Sequence, residues 1–186
     1  LPQLLVWKEV FGAYIVLNTQ EASVGLTFDF TGPNVLNALF SSNHGLFIWS
    51  PITAFGLAGV LLLLRKDRRL AAMLLCNFAL QLYIVGCWPV WSGGISFGPR
   101  FFLNSVPAFA IGLAVLLHEL ERRMPRHVLL ALCGAFVLWN LGLMVQYVLQ
   151  LIPRAGEVSL RQMVSNQFVV VPGKILSLIL RAASRT

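Results

Sequence analysis

The sequence predicts an all-α protein, a polytopic transmembrane helical bundle. Three observations carry this. Hydrophobic residues make up 58% of the 186-residue chain and charged residues only 11%, against roughly 45–50% and 25% in soluble proteins. A soluble globule of this size leaves too much surface in water to hide that much apolar area, and disorder needs the opposite composition. Second, four stretches carry no charge: residues 47–64, 70–88, 101–117 and 128–152. Their lengths of 17–25 residues fall in the range of roughly 17–25 residues for a membrane-crossing helix. Third, the basic residues collect in alternate loops. The expected organisation is an extracytoplasmic or interfacial segment (1–46), a four-span domain (47–152) and an amphipathic tail (153–186).

Each element has its own reason. Residues 1–17 are apolar but interrupted by Lys8 and Glu9, with aromatics at Trp7, Phe11 and Tyr14. They read as a helix at the membrane interface, or as the tail of a preceding span. The four charge-free stretches must be helical, because lipid offers no partner to backbone N–H and C=O groups. Arg65, Lys66, Arg68 and Arg69 separate the first two, and Arg122, Arg123 and Arg126 the last two. The loop between them, 89–100, has one cation. By the positive-inside rule, loops 65–69 and 119–127 are cytoplasmic in a multi-pass inner-membrane protein, and 89–100 is extracytoplasmic. Trp49, Trp88 and Trp91 fall at the outer ends as interfacial anchors. The net charge of +7 is thus mostly an orientation signal, and nucleic acid is not an expected partner. Small residues at Ala108 and Gly112, and at Ala131 and Ala135, would let helices approach closely. Beyond the fourth stretch, the apolar run 168–180 contains Pro172, Gly173 and Lys174. It reads mainly as an outer interfacial helix, with a fifth span as the alternative.

Cys76, Cys87 and Cys133 all lie in apolar stretches and form no disulfide framework. The sequence shows no metal-ligand spacing, Walker loop, GxGxxG or HExxH pattern. A chain opening on Leu1 without a leader-like segment reads as a piece of a longer polytopic protein.

Polar, turn-forming residues concentrate in two clusters on the expected outer side, 40–51 and 88–100. Arg100 is the only cation of its loop. Gly93, Gly94 and Gly98 before it would let N–H groups converge on an anion, and a guanidinium binds phosphate in bidentate fashion. Arg100 is read either as a contact to a lipid phosphate or as an arginine snorkelling to headgroups. His44 is read as a phosphate donor or proton-transfer group, or as a satisfied interface histidine. His118 and His127 are read as solvated. Asp29, between Phe28 and Phe30, is read as the start of a turn or as an acid with a raised pKa. Trp88, Trp91 and Phe97 are either a sugar-stacking platform or an aromatic belt. Asn77 and Gln81, one turn apart, are expected to hydrogen-bond between helices. Glu9 and Glu21 are the other acids on that side.

The run LFSSNHGLFIWSPI, the loop RKDRR, and then FALQLYIVGCWPVWSGGISFGPRFFLNSVPAFAIGLAVLL together resemble the C-terminal half of bacterial GT-C-type membrane glycosyltransferases. These are the mannosyltransferase-like or dolichyl-phosphate-mannose-protein mannosyltransferase-like proteins. The opening LPQLLVWKEVFGAY is similar to the segment preceding that run, so the resemblance covers residues 1–117. It implies a polyprenyl-phosphate-linked sugar donor and transfer at the outer face of the cytoplasmic membrane. It places His44, Gly45, Trp91, Gly93, Gly94, Gly98 and Arg100 at motif positions. In that family an acid in the first outer loop activates the acceptor, in some members with a divalent metal. That loop is not in this sequence, so no catalytic base is assigned, Asp29 is not promoted to the role, and the piece is expected to be inactive alone. The competing readings are a transporter segment, disfavoured by four spans without charge, and a non-catalytic structural membrane protein.

Overall fold

The computed structural model describes residues 2–14, 27–153 and 158–183. The expectation for Glu21 lies outside the described residues. Among the described residues all regular structure is helical. Helix α1 (Pro2–Phe11) ends at Gly12, whose positive φ of 74° favours glycine. Short helices α2 (Val35–Phe40) and α3 (Leu46–Trp49) lead into α4 (Ile52–Leu63), α5 (Arg68–Cys87), a 3-10 turn (Arg100–Ser105), α6 (Val106–Glu121) and α7 (Arg126–Val148). The chain closes with α8 (Leu160–Ser165), a π turn (Asn166–Val170) and α9 (Val171–Ala183).

Three helical segments are long and apolar enough to cross a membrane: Arg68–Cys87, Arg100–Glu121 and Arg126–Val148. They fall on the second, third and fourth charge-free stretches. The first stretch, 47–64, is not one helix. It breaks at Ser50 and Pro51 between α3 and α4, because proline has no N–H to extend the preceding ladder. What remains, α4, has 12 residues and a length of about 18 Å, short of the hydrocarbon thickness. The described residues therefore hold three helices of spanning length and one shorter apolar helix.

Helix α4 lies against α6 along a glycine seam. A Cβ built on Gly56 would stand 2.7 Å from the Phe109 carbonyl oxygen, and Cβ atoms on Gly59 and Gly112 would fall on the opposite backbone. Only hydrogen side chains permit that approach, and in lipid such close packing is what holds helices together. Of the small-residue pairs in the sequence, Ala108 and Gly112 are both buried, Gly112 in this seam, whereas Ala131 and Ala135 are exposed. Phe78, Phe102 and Phe109 stack beside it with Leu46 and Val85.

The two ends of the bundle differ. At one end Asp67 caps α5, accepting from the Arg69 and Leu70 amides at 3.1 and 3.0 Å. There Lys66 pairs with Glu119 across α4 and α6. The two basic loops thus share an end, as two intervening spans require. At the other end a second apolar cluster joins Trp49, Leu143, Ile152, Val158 and Met163.

The C-terminal helices form one rod over residues 160–183. Its register against α7 is antiparallel. Gln146 Nε2 donates to the Met163 carbonyl at 3.1 Å, while Gln167 Nε2 donates to the Leu138 and Trp139 carbonyls at 3.2 Å. The run 168–180 is therefore the second half of a helix about 36 Å long, not a free-standing 13-residue segment.

Candidate functional site

The 88–100 loop owes its shape to three glycines. Trp88 ends α5, its N–H donating to Val85 O at 3.1 Å. Gly93, Gly94 and Gly98 then take φ of 82°, 65° and 68°, values that side-chain-bearing residues rarely adopt. Gly93 N–H donates to Val90 O at 2.9 Å and Ser96 Oγ to Gly93 O at 2.8 Å. Arg100 N–H donates to Gly98 O at 2.9 Å and opens the 3-10 turn. The Gly93 and Arg100 amides thus bond within the loop, whose single charged donor is the guanidinium of Arg100.

Arg100 crosses Gly93 closely. A Cβ on Gly93 would lie 3.1 Å from Ser96 Oγ, a tight approach, and in ordinary contact with Arg100, 3.5 Å from its Nε and 3.6 Å from its Cγ. The guanidinium sits 5.2 Å from the Phe101 ring centre, a cation–π geometry. Arg100 is exposed, and among the described residues no carboxylate lies within ion-pair distance of it.

The side chain separates two cavities. One, of about 350 Å³, is walled by Trp88, Val90, Gly93, Gly94, Ser96 and Phe101. The other, of about 280 Å³, is an apolar cleft between Trp49, Thr53, Phe97, Leu103, Phe109 and Asn140. Arg100 lines both. Arg100 thus borders both a hollow of the glycine loop and an apolar cleft.

The other predicted site residues separate. His44 is 3% exposed and stacks on Trp49, ring centres 4.4 Å apart. Its Nδ1 is 3.2 Å from Asn43 Oδ1, and its Nε2 has no partner. It lines neither cavity and is held below the ordinary histidine pKa by burial. Its place is under the cleft, through Trp49, not beside Arg100. Trp91 packs on the phenylalanine cluster, and Phe97 wedges edge-on between Trp49 and Tyr147. Of the three aromatics, Trp88 alone lines the glycine-loop cavity. Gly45 packs directly on the Ser41 backbone and shapes the turn. Asp29 starts a turn, accepting from Thr31 N, Thr31 Oγ1 and Gly32 N at 2.9, 2.6 and 3.1 Å. The Thr31 hydroxyl bond, then the two amides, hold its carboxyl below the usual value. That is the opposite of a raised acid. His118 and His127 are exposed, and so is Asn77, while Gln81 donates to Phe101 O at 2.5 Å and steadies the 3-10 turn.

Helix α7 supplies parts that sequence reasoning missed. Trp139 Nε1 donates to Ile48 O at 3.1 Å, Tyr147 donates to Ile95 O, and Asn140 lines the cleft. Their only signal was polarity inside an apolar stretch.

The chain matches no protein-family model, no curated protein and no solved structure. Among the described residues no group of three His, Cys, Asp or Glu side chains is placed to hold a metal ion. The divalent metal implied by the resemblance has no such ligand set among the described residues.

Proposed function

We propose that the chain is the C-terminal part of an integral membrane glycosyltransferase that uses a polyprenyl-phosphate-linked sugar, with the glycine-loop end on the outer face of the cytoplasmic membrane. The supporting observation is Arg100, a guanidinium with no carboxylate partner among the described residues, bordering a loop hollow and an apolar cleft. The phosphate lies on Arg100, the sugar in the hollow beside Trp88, and the first prenyl units between Leu103, Val106 and Phe109. Attack on the anomeric carbon breaks its bond to the phosphate oxygen and leaves polyprenyl phosphate. Arg100 stabilises the charge that grows on that oxygen, an interaction stronger in the transition state than in the ground state. The attacking hydroxyl is deprotonated by a base outside this sequence. Helices α5, α6 and α7 cross the bilayer, α4 lies within it, and the 160–183 rod returns along α7 to the basic, cytoplasmic end.

The test is release of polyprenyl phosphate from polyprenyl-phosphate-mannose by membranes carrying the full-length protein. Arg100→Ala is expected to lower the rate by about 10²–10³-fold, the range for losing one preorganised donor. Arg126→Ala, at the opposite end, is expected to leave it unchanged. Parental activity in the Arg100 variant would remove the assignment.

A further inference from the structure

The basic end of the bundle holds a cavity of about 440 Å³, larger than either cavity beside Arg100. It lies between the last turns of α4 and α6. Its wall is Leu62, Leu116 and Leu120, and its rim is Arg65, Lys66 and Arg123 with Glu119. Its origin is in the helix packing. The seam joins Gly59 to Gly112, and the cavity begins one helical turn beyond, at Leu62 and Leu116. Where bulky leucines replace glycine the two backbones cannot stay in contact, and a gap opens.

The charges in the gap do not cancel. Glu119 pairs with Lys66 and lies 4.0 Å from Arg122. Among the described residues Arg65 and Arg123 have no carboxylate within ion-pair distance. Two exposed guanidiniums, one from each basic loop, therefore flank an apolar slot.

We propose that this cavity is a binding site for an anionic phospholipid of the leaflet at the basic end. Arg65 and Arg123 clamp the phosphodiester, and an acyl chain lies against Leu62, Leu116 and Leu120. Guanidinium forks match phosphate oxygens in pairs, and basic pockets between membrane helices suit such headgroups. The leucine wall favours a lipid over a free anion. The bound lipid would brace α4, which is too short to anchor itself across the bilayer. This inference rests on the membrane placement of the helices and not on sugar transfer, so the two fail separately.

The experiment measures binding of dioctanoyl phosphatidylglycerol to the detergent-purified chain at about 0.15 M salt, where surface charges are screened beyond about 8 Å. Dioctanoyl phosphatidylcholine and inorganic phosphate are the comparison ligands. Phosphatidylglycerol is expected to bind more tightly than either. Arg65→Gln with Arg123→Gln should weaken it roughly 30-fold, about fivefold per cation. Arg68→Gln with Arg126→Gln removes the same charge outside the cavity and should weaken it less than about threefold. If the first pair does not fold, Arg123→Gln alone should show the fivefold loss. Equal losses in both pairs, equal binding of the two lipids, or equal binding of inorganic phosphate would overturn the site.

Discussion

At residue scale, His44 carries a conformational and an electrostatic constraint together. Its backbone is left-handed, φ 62°, and its ring is buried on Trp49 with Nε2 unpartnered. Burial lowers its pKa from 6.5, because the charged ring is poorly solvated. Above about pH 6.5 the imidazole is neutral in folded and unfolded chains, and its contribution is fully present. As the pH falls below that, the unfolded chain binds the proton first, and stability drops until the folded value is passed. Asn tolerates the same backbone conformation. His44→Asn should therefore lose less stability between about pH 7.5 and pH 5 than the parent, by thermal unfolding in detergent. Equal losses would show that His44 does not titrate on unfolding. The position was visible in the sequence as a histidine beside a helix start. Its burial was not, since that depends on Trp49 reaching back to donate to Ser42 O at 2.9 Å. Arg100 was more legible, because it is the single cation of a glycine-rich loop. That it crosses Gly93 needed the three positive-φ turns to be built first.

At element scale, the glycine seam decides how α4 meets α6. Gly59→Val would place a branched side chain on the Gly112 backbone. It should cost at least about 1–3 kcal/mol, the range for overpacking. Gly134→Ala on α7, where a Cβ meets nothing within 4 Å, should be neutral or stabilise by up to about 1 kcal/mol. Unfolding in mixed micelles compares the two. A tolerant Gly59 and an intolerant Gly134 would contradict the packing. Three of the helices could be read from runs without charge, since length and apolarity are what lipid demands. The break at Ser50 and Pro51 is missed when 47–64 is read as one span, although Pro51 lacks the donor a continuous helix needs. The seam was only half readable. Ala108 and Gly112 have the same spacing as Ala131 and Ala135, and which pair packs depends on the partner helix offering Gly56 and Gly59. The antiparallel rod after residue 160 was hidden by Pro172, Gly173 and Lys174. In place, Gln167 fills the space beside Gly142 and bonds Gln146 at 2.8 Å, holding the rod against α7.

At the scale of the whole molecule, the chain sorts chemistry to its ends. Arg65, Lys66 and Arg123 gather at one, and the glycine loop, Trp49 and Tyr147 at the other. Alternating charge in the loops foretold this division. The cavities were not foreseeable, because each arises where helices from distant parts of the chain diverge. The central claim is that Arg100 holds the phosphate of a long-chain lipid whose tail enters the cleft by Trp49. A polyprenyl phosphate bearing a diazirine on its first isoprene unit tests this in membranes containing the full-length protein. The claim predicts adducts on Trp49, Thr53, Leu103 or Val106, displaced by unlabelled polyprenyl phosphate and lost in Arg100→Ala. Adducts confined to the outward faces of α5 and α7, with a yield unchanged in Arg100→Ala, would contradict it.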